Sequence, residues 1–122
     1  MEKKIENIVK HSEVSEKAIE KYLCERMKAV GYPCLKYSNA NMAGYPDRVI
    51  VLPTQKVVWV ELKSKGKKPS KIQQVRFDEL RRLGHQVWIA DSRQKVDEIV
   101  NNIMPLVFVK DYSNVNLRIG EL

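Results

Sequence analysis

Three residues near the middle of the chain have the side chains that phosphodiester hydrolysis calls for: Asp47, Glu61 and Lys63. Glu61 and Lys63 lie two apart in Val57-Val58-Trp59-Val60-Glu61-Leu62-Lys63, so on a strand they share one face while Leu62 points to the other. Asp47 follows Gly44-Tyr45-Pro46 and opens the β-branched run Arg48-Val49-Ile50-Val51-Leu52. Pro46 removes a backbone donor there and helps fix the entry into a strand. If Asp47 faces the same side as Glu61, two carboxylates and one ammonium converge. An anionic ester that gains charge in its transition state needs a divalent cation beside it. Magnesium, with manganese as a substitute, takes oxygen ligands and keeps several waters, so Asp47, Glu61 and the backbone carbonyl of Leu62 form a reasonable protein share. Lys63 would orient the attacking water, help its deprotonation, or hold the phosphate. Taken alone, Glu-x-Lys on a strand is more often a solvated face; an acid entering abruptly after four apolar residues is unlike that pattern.

The elements that must position these groups are legible from periodicity. Ile19, Tyr22, Leu23, Met27 and Val30 recur at helical spacing over Ser15 to Val30, with Ser12 or Ser15 as cap and Gly31 then Pro33 as stop. A short Leu35-Lys36-Tyr37 strand runs into a loop rich in Asn and Gly. Arg48 to Leu52 and Val57 to Lys63 read as a β-hairpin around Pro53-Thr54-Gln55-Lys56. Ser64 to Ser70 is an exposed loop, and Ile72, Val75, Phe77, Leu80 and Leu83 mark a helix ending at Gly84. A strand over Gln86 to Ala90, a helix over Val96 to Ile103 and a final strand over Leu106 to Val109 complete the order. The expected class is α/β, a mixed β-sheet flanked by α-helices.

At 122 residues the chain is expected to form one domain over 1–122, its core about 15–92, with 93–122 adding a helix and a strand that offer a dimer contact. No apolar run approaches the ~20 residues of a membrane span. The mixed-charge start Met1-Glu2-Lys3-Lys4 is unlike a secretory signal, so a cytoplasmic location is expected. Cys24 and Cys34 have neither zinc-ligand nor disulfide-framework spacing and read as buried or idle thiols. Twenty-two Lys and Arg against fifteen Asp and Glu leave a net charge of +7, which favours polyanions without proving that one binds. Lys65, Lys67, Lys68 and Lys71 cluster just after the Glu61 strand as a candidate phosphate grip, and Lys36 is a further candidate. Trp59 and Trp88 fit strand patterns and are assigned to the core; His11 and His85 are assigned no chemistry.

Gly44-Tyr45-Pro46-Asp47-Arg48, Val60-Glu61-Leu62-Lys63, Lys68-Pro69-Ser70 with Gln73, and Leu83-Gly84-His85-Gln86-Val87 occur in that order. Together they resemble the VRR-NUC (virus-type replication-repair nuclease) domain of the PD-(D/E)-x-K superfamily, in its stand-alone phage form. The resemblance runs from Ser15 to about Ser92, and Tyr45 departs from it, since the family more often has a small aliphatic there. It implies a restriction-endonuclease-like fold, Asp47 and Glu61 as metal ligands, Lys63 as catalytic lysine, and Gln73 on the active-site helix in preference to its neighbour Gln74. It also implies an acid on the first helix: Glu16, which stands three before an aliphatic and would reach the metal directly or through water, with Glu20 as the alternative. The resulting expectation is a magnesium- or manganese-dependent endonuclease acting on DNA, selective for branched structures such as Holliday junctions and working as a homodimer in the host cytoplasm. The competing expectation is a basic DNA-binding module without catalysis.

Overall fold

The computed structural model describes residues 15–104. Helix α1 (Glu16–Val30) begins where the Ser15 hydroxyl accepts from the Ala18 amide at 3.1 Å, and it ends at Gly31, whose φ of 94° is the left-handed cap conformation. Ile19, Leu23 and Met27 recur every four residues and are fully buried, forming the stripe that binds α1 to the sheet.

The sheet runs β1 (Cys34–Lys36), β2 (Arg48–Leu52), β3 (Lys56–Leu62) and β4 (Gln86–Ala90), in that spatial order. The first two pairings are antiparallel and β3–β4 is parallel, so the chain must cross over between them through helix α2 (Lys71–Arg82). Helix α3 covers 93–104. The last expected strand, Leu106 to Val109, lies outside the described residues.

Alternation along β3 divides the core into two. Val58, Val60 and Leu62 point to the face covered by α1 and by Val96, Ile99, Val100 and Ile103 of α3, which forms the larger core. The opposite face is covered by α2, where Phe77 and Leu80 pack with Val87 of β4, flanked by Tyr45, Trp59 and Ile89. The result is helices, sheet, helix: the mixed α/β arrangement expected from the element order. The apolar stripe of α2 is narrower than its sequence suggests, since Ile72, Val75 and Leu83 are exposed and only Phe77 and Leu80 are buried. Trp59 and Trp88 pack against the small and the large core respectively, neither fully enclosed. Cys24 and Cys34 are half-buried free thiols; burial, with Cys24 close by, pushes the Cys34 thiol up to about 12. Among the described residues no helix is long and apolar enough to cross a membrane.

Because α2 is anchored by so few buried side chains, Phe77→Ala is expected to cost about 3–5 kcal/mol, the usual cost of emptying a buried aromatic site. Urea unfolding measures it; a loss under about 1 kcal/mol would mean that the helix is held by something else.

Candidate active site

Asp47 immediately precedes β2, and continuing the ladder from Arg48↔Val60 by one residue sets it opposite Glu61. Residues directly opposite in an antiparallel pair share a face, so the two carboxylates fall on the same side, and Arg48 on the other. The same extension of β1–β2 beyond Lys36↔Arg48 adds Tyr37, whose amide donates to the Asp47 carbonyl at 2.7 Å. Asp47 Oδ2 in turn accepts from the Leu62 amide at 3.3 Å, which holds the carboxylate against the β3 backbone between Glu61 and Lys63.

Glu61 is only 2% exposed, the one charged residue among the buried side chains described. Its Oε2 accepts from Gln73 Nε2 at 2.9 Å and lies 3.3 Å from Lys63 Nζ. Its Oε1 is buried with no hydrogen-bond partner. Burial pushes the Glu61 carboxyl up to about 7, with the negative charge of Asp47 adding to the rise; Lys63 and the Asp47 backbone amide pull the other way.

Gln73 is aimed by the start of its own helix. Ser70 caps α2 by accepting from the Gln73 amide at 3.3 Å, and Gln73 Oε1 accepts from the Ser70 amide at 2.9 Å. This capping box occupies the carbonyl end of the side chain and leaves its NH2 end to face Glu61. Gln74, the neighbour weighed against it, instead donates to the Pro69 carbonyl at 3.1 Å. Ser70-x-x-Gln73 is a capping signature readable in the sequence, and it supplies a reason for Gln73 that the motif order alone did not.

The first-helix acids are placed differently. Glu20 Oε2 is 2.9 Å from both Lys36 Nζ and Arg48 Nε, on the sheet face opposite Asp47. Burial would raise its carboxyl, but the two cations outweigh that and hold it below the ordinary value. The Glu16 side chain is exposed one turn earlier and makes no hydrogen bond or ion pair among the described residues. Lys36 is thus paired with Glu20, whereas Lys65, Lys67, Lys68 and Lys71 are exposed with no ion pair among the described residues. Sequence reasoning missed the aromatic cluster beside the site: Tyr37, Tyr45 and Trp59 have ring centroids 5.4 to 6.4 Å apart. Trp59 also meets His85 edge-on.

The donor set suits a hard divalent cation. Two carboxylates face one ammonium, that of Lys63, one buried Glu61 oxygen has no hydrogen-bond partner, and both side chains offer oxygen only. No third His, Cys, Asp or Glu joins them among the described residues, so backbone and water would complete the shell.

The raised Glu61 carboxyl has a consequence for the metal-free protein. The unfolded chain ionises this group near 4.5 and the folded chain only near 7, so the folded state holds the extra proton between those values. Stability is therefore expected to fall as pH rises from about 4.5 to about 7, by roughly 3 kcal/mol from this group, and then to level off. Chemical denaturation in chelator at pH 5 and pH 8 should show the drop in wild type and a flatter profile in Glu61→Gln; equal slopes in the two would remove Glu61 as its source.

No family model matches the chain. A protein described as "Putative nuclease p44", from Acyrthosiphon pisum secondary endosymbiont phage 1, is 34% identical over 94 residues, spanning 77% of this chain and 96% of that protein. A solved structure described as a VRR_NUC domain superposes with a TM-score of 0.66 at 30% identity, covering 70% of this chain and 94% of its own. Likeness of that extent in both sequence and fold, over residues that include the Asp47 and Glu61 strands, shows that the chain belongs to the VRR-NUC family of nuclease domains.

Proposed function

We propose that this nuclease is a divalent-metal-dependent endodeoxyribonuclease that hydrolyses phosphodiester bonds in branched DNA, four-way junctions included. The observation that carries the reading is the facing pair Asp47 and Glu61, with one Glu61 oxygen buried and unpartnered and Lys63 3.3 Å from the other. Asp47, Glu61 and the Leu62 carbonyl would hold magnesium, or manganese in its place, and the bound ion supplies countercharge to a phosphate growing more negative. Lys63, anchored on Glu61, orients the attacking water and neutralises a phosphate oxygen. Gln73 keeps the Glu61 carboxylate turned toward the site through its own amide. Glu16, which does not join the pair directly, is the first-helix acid of this reading and would reach the metal through water, because Glu20 is committed to Lys36 and Arg48.

The unpaired Lys65, Lys67, Lys68 and Lys71 grip phosphates flanking the scissile bond, and Lys36 contributes more weakly because Glu20 compensates it. Two symmetry-related cuts across a junction call for a homodimer. The phage relative is in keeping with action in a bacterial host's cytoplasm. A binding module without catalysis would gain nothing from two adjacent carboxylates, which repel phosphates unless a cation lies between them.

The test uses the full chain with labelled junctions, flaps and linear duplexes in magnesium or manganese. Junctions or flaps should be cut at least about tenfold faster than duplex, chelator should stop all cleavage, and Asp47→Ala or Glu61→Ala should lower it by about a thousandfold or more. Cleavage at wild-type rate in either variant would sink the site; no cleavage by wild type under any metal would favour the binding module. Replacing Lys65, Lys67, Lys68 and Lys71 together by Ala should raise KM with little change in kcat and reduce the salt dependence of binding by a slope of about 3 to 4. An unchanged slope would place the phosphate grip elsewhere.

A further inference from the structure

Asp47 must be held at the end of a strand by a chain segment that has little regular structure of its own. Residues 43–45, just before it, are fastened to α2 by contacts that the proposed chemistry does not use. Arg76 Nε donates to the Ala43 carbonyl at 3.1 Å, and the Arg76 guanidinium lies 5.4 Å from the Tyr45 ring centroid. The Tyr45 hydroxyl donates to Glu79 Oε1 at 3.0 Å, while Glu79 Oε2 is 3.7 Å from Arg76 Nη1. Between them Gly44, with φ of 99°, sits so close to α2 that an added Cβ would be 2.9 Å from the Ile72 carbonyl oxygen. Arg76 is only 20% exposed at its side chain, so its guanidinium is largely taken up by these contacts.

Gln73, Arg76 and Glu79 are spaced by three along α2 and share one edge of the helix. The first reaches Glu61; the other two reach the segment leading into Asp47. We infer that Tyr45, Arg76 and Glu79 are positioning residues, a clamp through which α2 sets the place of Asp47 relative to Glu61 and so the affinity of the pair for a divalent cation. This rests on the reading of Asp47 and Glu61 as the metal-holding pair. Pro46, buried and without an N–H, links clamp to carboxylate with restricted φ, so a shift at Tyr45 is passed on rather than absorbed.

The experiment titrates the full chain, without DNA, with Mn2+ by calorimetry for wild type, Arg76→Ala, Tyr45→Phe and Asp47→Ala, and then measures kcat and KM on a cleavable DNA for the same set. Urea unfolding establishes that each variant is folded. Arg76→Ala should bind Mn2+ about five- to tenfold more weakly and lose about tenfold in kcat with KM for DNA within about twofold, since sub-ångström misplacement of a reacting group is costly. Tyr45→Phe, which removes a single hydroxyl and is the variant that decides if Arg76→Ala fails to fold, should move the same way by about two- to threefold. Wild-type Mn2+ affinity in both variants, with binding lost in Asp47→Ala, would overturn the clamp and leave the metal pair standing. A rise in KM without any change in Mn2+ affinity would also overturn it, by making Arg76 a DNA contact. Wild-type affinity in Asp47→Ala would overturn the metal pair itself.

Discussion

Burying a carboxylate beside another carboxylate sets the terms for this site. Glu61 sits in a strand whose other buried residues are apolar, and removing its charge from water is unfavourable by several kcal/mol unless partners replace the lost hydration. Lys63 and Gln73 both serve one oxygen, Oε2, and the other is left unpartnered. Burial first, and the negative charge of Asp47 across the ladder second, raise the carboxyl to about 7. An arrangement that is poor for an isolated protein is one that a divalent cation would relieve, as the proposed function requires.

Helix α2 answers most of the demands this makes. It closes the sheet face that carries Glu61, excludes water with Phe77 and Leu80, and delivers the Gln73 amide. The capping box gives the helix its start and the amide its direction in the same pair of hydrogen bonds, so local helix energetics and site geometry are coupled. The opposite face has no such conflict: α1 and α3 bury an all-apolar core, and the polar exception near it, Glu20 with Lys36 and Arg48, is a paired ion cluster at the margin. The larger apolar core thus lies on one side of the sheet and the buried carboxylate on the other.

Charge around Glu61 is arranged in two tiers. Glu61 sits deep with the half-buried Asp47 facing it, while the lysines of the loop after β3 stand exposed and without ion pairs among the described residues. Under the proposed function, attraction of a polyanion and retention of a cation would come from different depths of the same region, and neither would cancel the other.

Much of this was legible from residue order. Hydrophobic period and cap residues located α1, α2 and the hairpin, because Ile19, Leu23 and Met27, or Val58 and Val60, repeat at the spacing that their element requires. The two-residue spacing of Glu61 and Lys63 sufficed to put them on one face, since strand alternation is a local property. The ordered motifs pointed to the family and to Gln73 over Gln74. What local pattern could not decide was anything set by packing between distant segments. That Asp47 stands opposite Glu61 follows from hairpin register, and that Glu20 pairs with Arg48 follows from α1 crossing the sheet. The exposure of Ile72 and Val75 depends on how little of α2 meets the sheet, and the tie from Tyr45 to Glu79 spans thirty-four residues. Sequence by itself determined which groups were available and on which face of each element they lie; only the tertiary structure decided which oxygen of Glu61 has a partner and which has none, because desolvation and hydrogen bonding are properties of the assembled interior.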